Sequence, residues 1–167
     1  MRSLIVILAT LMSMTAFACG AMEKTELAKK SDKKIAKAKT NSPKYLSSYF
    51  VMHEKLIKDV LPSEKDIKSL EASLSKQVAS LKDADAKTAL KKAHKFVKAM
   101  KGNDIKKLRA NFYELSKVLI PFAKKHKLAG VQAYYCPMAK KSWLQNQSEI
   151  TYNPYMPKQM LHCGSKL

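Results

Sequence analysis

Asp104-Ile105-Lys106-Lys107-Leu108-Arg109-Ala110-Asn111-Phe112-Tyr113-Glu114-Leu115-Ser116-Lys117-Val118-Leu119-Ile120-Pro121-Phe122 is the stretch on which the fold turns. Its apolar residues Ile105, Leu108, Phe112, Leu115, Leu119 and Phe122 step by three and four, so they line one face of an α-helix. Proline lacks the N–H that a helix interior needs, so Pro121 is expected to kink this helix or end it near Ile120, and Gly130 to close the helical stretch.

Working back towards the start, the same periodicity recurs three times. Ala86, Ala89/Leu90, Ala93, Val97 and Met100 predict a helix stopped by Gly102-Asn103, a good C-terminal pair. Lys82 to Asp85 read as the turn before it. Ile67, Leu70, Leu74, Val78 and Leu81 predict another helix behind Ser63-Glu64-Lys65-Asp66, a capping box with Asp in the place of the usual Glu. Tyr45/Leu46, Tyr49/Phe50, Met52, Leu56/Ile57 and Val60 predict the first, with Ser42 as N-cap, Pro43 at the first helical position and Pro62 as terminator. Four amphipathic helices joined by short connections favour an up-down bundle over residues 42–128.

Residues 19–41 hold Lys, Ala, Glu, Ser and Thr with almost no large apolar side chain, too little to offset the entropy of ordering, and read as a lysine-rich tether. Residues 1–18 read as a signal peptide: Arg2, an apolar run from Leu4 to Leu11, and Ala16-Phe17-Ala18 as an Ala-x-Ala cleavage pattern. Cutting after Ala18 would expose Cys19, a candidate for lipidation, although the preceding residues suit an ordinary signal peptidase as well. The expected location is therefore periplasmic or secreted, with a lipoprotein as the variant.

Downstream of Gly130 the pattern changes. Val131, Ala133, Tyr134 and Tyr135 are strand-like, Trp143-Leu144 and Ile150-Thr151-Tyr152 could add two short strands, and Pro137, Pro154 and Pro157 forbid a regular helix. Residues 129–167 are thus expected to form a small irregular or β cap, packed on the bundle as one domain with it. The fold class is mainly α: a four-helix up-down bundle with a Cys/Met-containing C-terminal cap.

That cap holds the chemistry. It carries two of the three cysteines, the single tryptophan and Met138, Met156 and Met160. Thiolate and thioether are soft donors, and in an oxidising compartment they point to Cu(I) before other metals. Cys136 and Met138 lie two apart, on one side of an extended strand, while Met156, Met160 and Cys163 step by four and three, one side of a helical turn. A two-cysteine, two-methionine site follows, with His162 and Met156 in reserve. A disulfide between Cys136 and Cys163 is the equal alternative; closing a loop of ~28 residues contributes about 3–4 kcal/mol in the chain-entropy model. Zinc is one usual ligand short of a closed site with Cys136, Cys163 and His162. Among the helical histidines, His53 follows Met52 on a helix that could face the cap, which makes it a further candidate ligand.

No Ser-His-Asp context, glycine-rich phosphate loop or His-x-x-x-His pair is present, so no enzyme is expected. The chain carries 32 Lys+Arg against 13 Asp+Glu, a formal net charge of +19. The lysines spread along every helix, Arg109 is the one arginine after the leader, and no aromatic-basic stripe appears. Nucleic acid is therefore not expected as a partner; a solvated surface with peripheral contact to anionic membrane is.

Tyr135-Cys136-Pro137-Met138-Ala139, Trp143-Leu144, Glu149-Ile150, Asn153-Pro154-Tyr155 and Met160-Leu161-x-Cys163-Gly164 resemble the signature of a bacterial exported domain of unknown function. That domain also occurs at the C-terminus of periplasmic adaptor subunits of copper/silver efflux pumps. Asp104-Ile105, Arg109, Phe112 and Leu115-Ser116 resemble its last-helix motif, and Tyr45 to Asp59 its opening helix, so the likeness spans about residues 42–164. The resemblance implies a helical exported domain with a copper or related soft-metal role, ligands at Cys136, Met138, Met160 and Cys163, and heavy-metal efflux or copper-handling envelope proteins as partners. This chain departs from the pattern in its short Lys140-Lys141-Ser142 link and in Met156-Pro157, where an aromatic residue and glycine are usual. The expected function is Cu(I) binding in copper tolerance or delivery; the alternative is a disulfide-stapled interaction domain without metal.

If residues before Ser42 are only a tether, truncation to Ser42 should leave the cooperative thermal melt of the remaining chain nearly unchanged. A loss of several degrees would make that segment part of the core.

Overall fold

A computed structural model of the chain describes residues 43–167. The expected signal peptide, tether and lipidation position Cys19 lie outside the described residues, as does the expected N-cap Ser42. The described part is mainly helical with a small antiparallel sheet. Its elements are α1 (Lys44–Ile57), α2 (Glu64–Ser80), α3 (Ala84–Lys98), α4 (Ile105–Lys125), β1 (Val131–Cys136), β2 (Lys141–Asn146), the single turn α5 (Pro157–Met160) and β3 (Ser165–Lys166).

The helix ends show why these segments stop where they do. Pro43 stands just before α1 rather than inside it, its carbonyl accepting from Leu46 N at 2.8 Å. Past α1 the chain turns through Asp59 at φ 55°, a left-handed position usually given to glycine, and Val60 N reaches back to Lys55 O at 2.9 Å. Ser63 and Asp66 form the expected capping box at the start of α2: each side chain accepts the other residue's backbone N–H. The turn expected over 82–85 is shorter, because Asp83 accepts from Asp85 N and Ala86 N at 2.8 and 3.0 Å and starts α3 at Ala84.

Pro121 does not end α4. The helix runs through it to Lys125, Lys127 at φ 46° makes the first left-handed exit, and Gly130 at φ 72° makes a second directly before β1. An interior proline costs about 3 kcal/mol. The flanking Leu119, Ile120, Phe122 and Ala123 are all buried, and each large side chain contributes about 1.5–3 kcal/mol by leaving water. Burial wins.

Consecutive helices pack on one another, α1 with α2, α2 with α3 and α3 with α4, while β2 lies against both α4 and α1. The strand order is β2-β1-β3, all antiparallel, with Tyr134 opposite Trp143 and Tyr135 opposite Ser165. The expected strand at 150–152 is absent; the third strand is Ser165–Lys166. The buried Gln145 side chain explains the difference. Its Oε1 accepts from Tyr152 N at 3.0 Å and its Nε2 donates to Ile150 O at 2.8 Å, so it satisfies the backbone groups a strand ladder would have used.

One apolar cluster runs from the helices into the cap and includes Leu74, Leu90, Phe112, Leu115, Trp143 and Tyr155. Tyr49 of α1 lies at its centre, fully buried, stacked on Phe112 at 4.6 Å between ring centroids. Its hydroxyl continues a chain of bonds. Leu144 N donates to the Tyr49 oxygen at 3.1 Å, the Tyr49 O–H donates to Ser116 Oγ at 2.7 Å, and Ser116 donates to Phe112 O at 2.7 Å. Burial holds the Tyr49 hydroxyl in its neutral form by raising its pKa.

Tyr49→Phe removes the acceptor of a buried strand N–H and should cost about 1–3 kcal/mol in urea unfolding. Ser116→Ala, which leaves the Leu144 bond in place, should cost less. An equal or reversed ranking would show that the strand does not depend on the tyrosine.

Candidate functional site

Cys136 is the last residue of β1 and Cys163 precedes β3 by two, so the pairing of these strands carries the two sulfurs together. They form a disulfide with 5.4 Å between Cα atoms across a sequence separation of 27. Cys136 is fully buried, and its sulfur accepts from Ala139 N at 3.3 Å, the turn after β1 folding back over it. Of the two readings left open by spacing, the structure shows the closed pair. In this form neither sulfur carries the thiolate that a soft metal requires.

Each neighbouring motif has a packing role. Gly164 lies against the tryptophan ring: a Cβ there would stand 2.7 Å from both Trp143 Cη2 and Thr151 Cγ2, closer than real contacts allow. Asn153 is buried, its Oδ1 accepting from Tyr155 N at 2.9 Å to close an Asx turn, and its own N donates to Leu161 O. Pro154 offers its carbonyl to Arg109 Nε at 2.8 Å. The Tyr155 hydroxyl donates to Ser142 O at 2.8 Å, and its ring meets those of Phe112, Tyr113 and Trp143.

Arg109 joins the cap to the helices. Its Nη2 donates to Leu56 O at 3.0 Å and to Asp59 Oδ1 at 2.7 Å. Lys158 from α5 takes the other Asp59 oxygen, and these two cations, Lys158 first, hold the Asp59 carboxyl below its usual range.

The candidate ligands are placed unequally. Met160 ends α5 and its carbonyl accepts from Cys163 N at 3.1 Å, while Met156 opens the same turn and packs partly on the core. Met138 stands on the β1–β2 turn and is 65% exposed, with no packing role. His162 is exposed; its Nδ1–H donates to Thr151 O at 2.9 Å, which leaves Nε2 as the acceptor nitrogen. His53 is buried beneath the cap and its Nε2–H donates to Tyr152 O at 2.9 Å, so only Nδ1 retains a lone pair for a ligand. The His162 ring lies against the Tyr152 ring at 5.3 Å, so the two histidines touch the same tyrosine from its ring and its backbone.

Among the described residues no group of three or more His, Cys, Asp or Glu is arranged for a metal. A sulfur donor set is a different case. The chemistry of Cys136, Cys163, Met138 and Met160 fits a soft ion in the dithiol form and in that form alone. Sequence reasoning put Tyr49 on a core-facing stripe and quoted Ser116 and Asn153 among the motif residues, but it missed the bonds their polar atoms make and missed Gln145 altogether, since nothing in a linear pattern marks which polar side chain will face a backbone group. For Arg109 two signals existed, its isolation as the single arginine after the leader and its place in the last-helix motif.

No family model, no curated protein and no solved structure matches this chain.

Burial lowers the His53 pKa to about 4, against 6.5 when exposed, with the Tyr152 carbonyl opposing in part. The unfolded chain then binds more protons between these values, so stability is complete above the higher one and falls as pH drops towards the lower. The loss should reach roughly 3 kcal/mol by about pH 4. Urea melts across this range should show the slope in the parent and a flatter one in His53→Gln, which keeps a donor for Tyr152. Equal slopes would place the titration elsewhere.

Proposed function

We propose that this protein is an exported helical domain that binds Cu(I) through Cys136, Cys163, Met138 and Met160 when its cysteine pair is reduced. It would act in copper tolerance or delivery beside heavy-metal efflux or copper-handling proteins of the envelope. The observation that carries the reading is the cysteine pair itself: two sulfurs drawn together at the end of β1, in a cap that also places Met138 at the adjoining turn and Met160 one turn before Cys163. Met138 matters most here, because packing gives no reason for so exposed a methionine. A soft cation binds the reduced pair as thiolates, displacing their protons to water, and thioethers complete its coordination with none to lose. Met156, His162 through Nε2 and His53 through Nδ1 are the reserve ligands. The likeness of the cap motifs to the exported domain associated with copper/silver efflux supports the same reading.

Beneath the site, the helices are read as an up-down bundle opened between α1 and α4 to admit β2. Packing of each helix on the next and the short connections support this topology.

The closed disulfide favours a second reading, a stapled domain that presents its surface to an envelope partner and binds no metal. A Cu(I) competition titration separates the two. In the copper reading the oxidised parent does not bind and the reduced parent does. Cys136→Ser and Cys163→Ser then abolish tight binding, while Met138→Leu and Met160→Leu weaken it by at least the roughly tenfold typical of losing even an outer-shell partner. In the stapled reading the reduced parent binds nothing, and either cysteine change lowers stability by about 2–5 kcal/mol in non-reducing melts. A reduced parent without Cu(I) affinity ends the copper proposal.

A further inference from the structure

The last turns of α3 and the first turn of α4 carry a concentration of exposed lysines. Between Ala86 and Tyr113 the chain carries eight lysines and Arg109 against one acid, Asp104. Lys91, Lys95 and Lys98 step by four and three along α3, which puts them on one helical face, opposite the buried Ala93, Val97 and Met100. Lys101 follows in the turn, and Lys106 and Lys107 open α4. All six lysines are exposed. Asn111 binds the two halves of the edge together, its Nδ2 donating to Ala99 O at 3.2 Å and Lys107 O at 3.1 Å.

These charges are not balanced locally. Asp104 turns its Oδ1 to the backbone N–H groups of Lys106 and Lys107. Acids placed on or against these helices are engaged elsewhere: Glu71 lies 3.6 Å from His94, Glu114 holds Lys117, and Asp59 is shared by Arg109 and Lys158. Among the described residues none of the six lysines has an ion-pair partner. Lys106 and Lys107 also sit where the helix dipole disfavours a cation. Folding gains nothing from such a concentration of like charge, which repels itself.

We infer that this α3–α4 edge is a docking face for the anionic phosphate headgroups of a membrane surface. The chemistry selects this partner over a nucleic acid. Lysines are hydrated point charges that suit a diffuse layer of phosphates, whereas base recognition draws on the planar fork of arginine and on stacking aromatics. The exposed aromatic of the described chain is Tyr135, on β1, away from this edge. No large apolar side chain is exposed among the six lysines, so the contact is peripheral and screened by salt. The inference stands independently of the metal reading.

The test compares full-length parent, the edge triple Lys95→Glu/Lys98→Glu/Lys107→Glu and a control triple of equal charge, Lys76→Glu/Lys124→Glu/Lys127→Glu, whose lysines are exposed on other faces. All three proteins keep residues 1–42, so whatever that segment adds is common to them, and circular dichroism checks that each is folded. Binding is read by sedimentation with vesicles of phosphatidylcholine holding about one-third phosphatidylglycerol, and with phosphatidylcholine alone. The parent should bind the anionic vesicles only, and the edge triple should lose about tenfold or more of that binding, well beyond the control triple. Equal loss in the two triples, or no preference for anionic vesicles, overturns the proposal. So does tighter binding to a duplex DNA oligomer at equal phosphate concentration that the edge triple abolishes, which would assign the face to nucleic acid.

Discussion

The hydrogen bond that ties a helix to the sheet, among the described residues, is made by one buried hydroxyl. Tyr49 accepts the N–H of Leu144 and donates its own O–H to Ser116, which donates in turn to Phe112. Four groups from α1, α4 and β2 are satisfied in one chain, each bond polarising the next in a medium of low dielectric. Leaving any of them unpaired at full burial would cost more than the bond itself contributes. The ring beneath the hydroxyl stacks on Phe112, so the same residue fills the core and closes its polar account.

The cap follows the same rule with less regular structure. From Gln147 to Gly164 the backbone has almost no ladder of its own, yet several of its backbone groups find partners one by one. Gln145 serves Ile150 and Tyr152, His53 serves Tyr152, Arg109 serves Pro154, and Asn153 serves Tyr155. Two of these partners come from the helices, which is how an irregular segment acquires a fixed position. The Cys136–Cys163 disulfide then ties β1 to the chain end. Under the copper proposal, an external dithiol would have to reduce that bond, taking up its own oxidation to a disulfide, before the two sulfurs could serve as ligands, so metal uptake would be linked to one covalent change in the cap.

Charge divides along similar lines. Acids in this protein are few and mostly committed: Asp59, Glu64 and Asp66 hold cations, and Asp83 and Asp104 cap helices. Lysines outnumber them so far that many are left to the solvent. Where that surplus concentrates, at the α3–α4 edge, it is a property of the assembled surface rather than of any one helix.

The sequence by itself determined the four helices, because their apolar stripes and caps are local: Ser63 and Asp66 lie three residues apart, and Leu108, Phe112 and Leu115 share a face whatever they pack against. It also marked the cap as non-helical through its prolines, and marked its sulfurs. Tertiary structure alone decided the rest. Pro121 remains inside α4 because its flanking side chains are buried by other elements, and residues 150–152 are not a strand because the Gln145 side chain reached their backbone first. The state of Cys136 and Cys163 was equally closed to a linear reading, since thiols 27 residues apart become a disulfide only when β1 and β3 pair. Local spacing fixes which face a residue occupies; what that face meets depends on contacts between residues far apart in the chain, and spacing carries no record of them.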